Sequence, residues 1–201
     1  MKRVLAVLAL SALLVAAVII PARAGGDHWP LDRAHSRVTF TVTKWGFAEV
    51  EGRFRDFDGA IAYDPAKPEA SHVEWRVRIA SVDTGEGARD HTLQAPEYFD
   101  TARYPEMRFV STSTRLAGPE ALDVAGTLTI KGVSKPFTVR VTHKGRHAVP
   151  GEGVFEMFET RFSLNRYDFG VVGGSLLGPA ISKDVNVFLI GAAKQPAMAR
   201  H

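Results

Sequence analysis

The chain has 201 residues, 45% hydrophobic and 23% charged, with 25 Lys and Arg against 22 Asp and Glu. It has no cysteine, which excludes a disulfide framework, a thiolate metal site and a lipidated cysteine. A net charge of only +3 lacks the basic excess of a nucleic-acid binder.

The first predicted element is a leader. Lys2 and Arg3 form a basic head, Val4 to Ile20 is aliphatic except for Ser11, and Pro21 precedes Ala22-Arg23-Ala24. A positive head, an apolar run and a small-x-small exit make a cleavable secretory signal. The expectation is a signal peptide over residues 1–24, cleaved after Ala24, and one exported domain over 25–201. The alternative is an uncleaved anchor, because the apolar run sits at the lower edge of spanning length. Lys2, Arg3 and Arg23 leave with the leader and no acid does. The 25 basic residues thereby fall to 22, level with the 22 acids. No electrostatic claim on nucleic acid or anionic lipid remains.

Period-2 alternation runs through the rest. Val38, Phe40 and Val42 alternate with Arg37, Thr39, Thr41 and Thr43. The Val50–Tyr63 stretch changes parity between Phe54 and Phe57, which predicts a bulge or turn at Arg55-Asp56. Val73, Trp75, Val77 and Ile79 form the clearest alternating run. Arg89–Phe99 is the one helical segment predicted, shortened by Pro96. Met107–Ser113, Leu122–Ile130, Phe137–Val141, Phe158–Leu164 and Val185–Leu189 complete about eight strands, with Ser134-Lys135-Pro136 as a hairpin turn. Residues 170–178, rich in glycine, suit a lip, and residues 195–201 a loose tail. An all-β, antiparallel sandwich or up-and-down barrel follows. A barrel of this size either fills its interior or holds one small ligand, and periodicity leaves that open.

Chemically reactive constellations are sparse. His35 and Ser36 are adjacent on a strand and point to opposite faces, so they do not pair. On a strand, His143 and His147 stand about 13 Å apart, too far for one metal. The reading has no catalytic residue and no metal site.

The ordered motifs carry a resemblance. They begin with Asp32, His35-Ser36 and Val38-x-Phe40-x-Val42, then Gly46-Phe47, Val50-x-Gly52-x-Phe54 and Phe57-x-Gly59-x-Ile61. Ser81-Val82-x-Thr84, Arg89-Asp90-x-x-Leu93, Tyr98-Phe99-Asp100 and Tyr104-Pro105 follow. Gly126-x-Leu128-Thr129-Ile130-x-Gly132-Val133, Arg166-x-Asp168-Phe169-Gly170 and Asp184-Val185 end the series. In this ordered set the chain resembles the YceI-like family of exported lipid-binding proteins.

The resemblance implies a lipocalin-like barrel with an apolar tunnel, partly closed by Arg89–Phe99, in the periplasm. It implies non-enzymatic binding or transport of a polyisoprenoid, an isoprenoid quinone or another long-chain lipid. No cofactor is required beyond such a lipid, an isoprenoid quinone or polyprenyl chain. The partners expected are that hydrophobic ligand and a transient membrane contact, with no nucleic acid, in a monomer or homodimer. We assign the tunnel wall to Phe40, Val42, Trp45, Phe54, Trp75, Val77, Leu93, Phe99, Phe109, Leu128, Phe162 and Phe169. Lys44, Arg89 and Arg166 are candidates for a polar mouth, or for contacts that fix the plug and closing turn to the barrel. Gly52, Gly59 and Gly126 would leave space inside. Competing readings are an enzyme acting on envelope lipids and a stress-related envelope protein with a structural lipid.

Overall fold

The structure, a computed structural model, describes residues 28–195, so the leader and the end of the tail lie outside it. Its strands are β1 (His28–Pro30), β2 (Arg37–Lys44), β3 (Ala48–Phe54), β4 (Phe57–Ala62), β5 (His72–Arg78) and β6 (Val82–Asp83). One α-helix, α1 (Gly87–Leu93), is followed by β7 (Glu106–Leu116), β8 (Ala121–Ile130), β9 (Val133–Val149), β10 (Gly153–Asn165) and β11 (Asp184–Lys194). All the pairings between them are antiparallel.

These strands make an eight-staved ring, because three staves are kinked rather than ended. β2 pairs with β3 and β1 with β4, so residues 28–44 and 48–62 form one long hairpin. Its second arm bends at Arg55-Asp56, where the parity of the sequence changes. β4 pairs with β5 and β3 with β6, so residues 72–83 form the third stave. The backbone N–H of Arg55 donates to Ser81 and that of Arg78 to Asp56, stitching the kinks together. From β5 each stave pairs with the next through β7, β8, β9, β10 and β11. β11 closes the ring on β2, with a further bridge from Leu31 to Ala193. Closure removes the sheet edges that would otherwise invite aggregation.

The inner face follows the alternation in the sequence. Val38, Phe54, Phe57, Val77, Leu122, Val124 and Val139 are all buried. Outside, arginines and carboxylates meet across strands, as in Arg76–Asp58, Arg108–Glu74 and Arg140–Asp123. Such exposed pairs are screened by water and add little to stability. The expected turn at Ser134-Lys135-Pro136 is corrected: those residues lie within β9, and the chain reverses at Lys131-Gly132. Both take positive φ, 48° and 75°, as a tight two-residue hairpin demands.

Residues 87–104 plug one end. Phe99 meets Phe54 edge-on at 6.3 Å, and Tyr98 is buried with Ile130, Phe169 and Val171. The helix begins at Gly87, two residues before the expected Arg89, and ends at Leu93 rather than Phe99.

Candidate lipid-binding cavity

A cavity of about 220 Å³ runs along the barrel axis. A single water needs only about 10–15 Å³. At one end its wall includes Ile61, Tyr63 and Thr114, and at the other Phe99, Phe169 and Val171. Between them lie Phe40, Trp75, Phe109, Leu128, Phe162 and Leu189. Those side chains point inward yet are only half-buried, because their free surface faces the lumen rather than a packed neighbour. A filled core would have hidden them.

Gly52 and Gly126 explain how an eight-stave barrel keeps this room. Phe40 lies opposite Gly52, and a Cβ on Gly52 would come within 2.2 Å of its ring. Phe109 likewise covers Gly126, where a Cβ would meet the ring at 2.6 Å. Each ring lies along the wall over a neighbouring strand. The glycines therefore create space indirectly, by letting aromatics fold flat.

Of the residues assigned to the wall, Phe40, Phe54, Trp75, Val77, Phe99, Phe109, Leu128, Phe162 and Phe169 line the cavity. Val42, Trp45 and Leu93 do not, and these placements are corrected. Val42 lies toward the rim, beyond the reach of the lumen. Leu93 packs behind the wall, against clusters containing Phe54 and Tyr98. Trp45 stands in the β2–β3 turn, 60% exposed, with φ at +54°. For a residue of this size the left-handed conformation costs about 1–2 kcal/mol.

The three cations are tied to protein groups. Arg166 is 6% exposed and its guanidinium donates to the carbonyls of Val171, Val172, Gly178, Ile181 and Ser182 at 2.7–3.0 Å. It is thereby the post around which residues 171–182 wrap, at the end of the cavity. Arg89 donates to Thr84 through Nε and a terminal nitrogen, and pairs with Glu86. Asp90 accepts from the same Thr84, so both charges pin the plug. The Lys44 ammonium sits 4.1 Å from the Trp45 ring centroid, and its backbone bridges to Ile181. Arg166 borders the cavity with its guanidinium committed to loop carbonyls, whereas Lys44 and Arg89 do not line it.

The end near Tyr63 carries polar residues that the sequence reading left out. Glu156 is 3% exposed and accepts from Arg146 Nε at 2.6 Å. The His143 ring, whose Nε2 lies 2.7 Å from the other Glu156 oxygen, also reaches the Tyr63 hydroxyl at 3.3 Å. A bulge assembles this group. Met157 lies opposite Gly145 but Phe158 opposite His143, so Lys144 is extra and Arg146 shares the face of His143. Burial, reinforced by the Glu156 charge, holds the Tyr63 phenol above its ordinary range.

A family model for the YceI-like domain matches residues 29–190. The chain belongs to the YceI-like family. A UPF0312 protein of Pseudomonas fluorescens is 36% identical over 197 residues, spanning 94% of this chain and 96% of the relative. Among solved structures, Burkholderia cenocepacia BcnA has a TM-score of 0.75 at 27% identity, over 82% of this chain and 99% of its own. A polyisoprenoid binding domain from Saccharophagus degradans shares the fold, with a TM-score of 0.64 at 18% identity over 85% and 99%. The YceI-like barrel and its plug thus account for the ordered motifs of the sequence.

Proposed function

We propose that this YceI-like protein is a non-enzymatic periplasmic carrier that holds a polyisoprenoid, an isoprenoid quinone or another long-chain lipid in its barrel. One observation carries the reading: a continuous apolar cavity whose wall residues keep their free surface toward the lumen. The fold it shares with a polyisoprenoid binding domain supports the same ligand class, and the leader in the sequence supports export.

The energetics favour a shuttle. A chain of about forty carbons, at roughly 0.8 kcal/mol per buried carbon, would gain tens of kcal/mol against water. That exceeds the practical affinity limit near −20 kcal/mol, so the relevant exchange is with a bilayer. Bilayer and cavity are similar solvents, and transfer between them is close to balanced. Organic extraction of the protein purified from its own host, followed by mass spectrometry, tests the proposal. A stoichiometric long-chain lipid is expected; an empty barrel that takes up no lipid on incubation would overturn it.

A further inference from the structure

We propose that the plugged end of the barrel docks on a lipid bilayer through a rim of exposed apolar side chains. The proposal rests on the carrier reading above and adds the surface through which cargo would pass.

Trp45 and Phe47 occupy the β2–β3 turn and are 60% and 79% exposed; Val172, Leu176 and Leu177 occupy the loop beyond Arg166 and are 49%, 86% and 46% exposed. The two segments are joined: the Trp45 N–H donates to the Ala180 carbonyl at 2.7 Å, and that of Ser182 to Thr43 at 2.7 Å. At the opposite end Leu116 stands alone among the large exposed hydrophobics of the described residues. So many large apolar side chains exposed at one end call for an occupant.

Three observations favour a bilayer. First, Trp45 is held in a left-handed turn that glycine or asparagine would form without strain, and its exposed ring neither packs a core nor closes the cavity. An indole with an ammonium over its face is the chemistry that settles at the headgroup level of membranes. Second, the rim is the outer surface of the cavity's own end: Val171 lines the lumen and Val172 faces solvent. Third, these side chains project from separate tips. A folded partner would need a matching recess for each, whereas a fluid interface does not. His28, the first described residue, pairs with Ala62 at the other end, away from the rim.

Trp45 can report on this directly, because the other tryptophans, Trp29 and Trp75, lie inside the barrel. The exported chain is mixed with phosphatidylethanolamine–phosphatidylglycerol vesicles, with and without acyl-chain bromination, alongside Trp45→Phe as a blank. The Trp45 emission is expected to shift to the blue and to be quenched by brominated lipid. A Phe47→Ser, Leu176→Ser, Leu177→Ser variant is expected to partition about tenfold or more weakly, while extraction recovers the same ligand from it. Absence of quenching, or partitioning indifferent to the three serines, would overturn the docking surface. So would a concentration-dependent dimer, by sedimentation, that the serines abolish without any vesicle effect. Failure of the unaltered protein to bind vesicles while extraction still yields its ligand defeats the docking proposal alone; docking by a barrel that never yields lipid defeats the carrier reading instead.

Discussion

At one end of the barrel Glu156 is buried between Arg146 and His143, with the Tyr63 hydroxyl on the far side of the imidazole. At the other, Trp45, Phe47 and Leu176 stand in solvent. The first end satisfies its polar groups inside the wall, through a bulge that brings Arg146 round to meet the carboxylate. The second keeps its polar groups within the loop, on Arg166, and leaves its apolar ones unpaired. On the proposed carrier reading, the contrast separates two tasks: a base braced by buried polar groups, and an end through which a hydrophobic molecule passes.

Substitutions should separate the buried polar posts of both ends from the exposed apolar rim. The largest effect is expected at Arg166. Arg166→Ala leaves five loop carbonyls without their donor and should cost about 3–5 kcal/mol in urea denaturation. Arg166→Lys should recover only part, because an ammonium lacks the planar fork. A loss under about 1 kcal/mol would show that the post is dispensable. At the closed base, Glu156→Ala leaves Arg146 and His143 without their shared acceptor. It should lower stability by about 2–4 kcal/mol, with the lipid retained on extraction.

The rim should respond with the reverse sign. Trp45→Asn relieves the strained turn and should raise thermal stability by about 1 kcal/mol, while reducing vesicle binding. A destabilised Trp45→Asn protein would remove the argument that this side chain is kept against the interest of the fold.

The smallest effect concerns acid. Hydrogen bonds from Arg55 and Arg53, then the Gly85 N–H, hold Asp83 down to about 2. Arg140 likewise lowers Asp123. A carboxyl depressed on folding stabilises the native state above its unfolded value near 3.9. That stabilisation is lost as the pH falls through the folded value. Stability should therefore decline between about pH 4 and pH 2, and Asp83→Asn should make the decline shallower. An unchanged pH profile would show that these exposed pairs contribute nothing.

Much of the fold was legible in the sequence because strand periodicity reports which face is buried. Val38 and Phe40, or Trp75 and Val77, needed only their neighbours to be placed. The parity change between Phe54 and Phe57 located the kink that makes one stave of β3 and β4. Trp45 lies outside the lumen because the Trp45-Gly46 pair is a turn, and turn geometry overrides hydrophobicity there. Leu93 belongs to a plug whose contacts are with the back of the wall, which no periodicity encodes. Tyr63 and Phe158 lie within the predicted Val50–Tyr63 and Phe158–Leu164 strands, and the same alternation that places Ile61 and Phe162 inward also turns them to the lumen. Glu156 could not be placed in this way, because a carboxylate within Phe155–Phe158 is inward-facing only when Arg146 meets it. That meeting depends on a bulge in the register between two strands. The lumen itself was equally hidden, since it depends on Phe40 and Phe109 lying flat over glycines of neighbouring strands.

The most direct test of the account is native mass spectrometry of the protein purified from its own host and of Leu128→Trp, a substitution aimed into the lumen. The account predicts a lipid adduct on the wild type that the variant loses. It also predicts that the variant's unfolding midpoint is nearly unchanged, because the indole enters empty space instead of a packed core. A variant that keeps the adduct, or one that loses about 2 kcal/mol or more through overpacking, would contradict it.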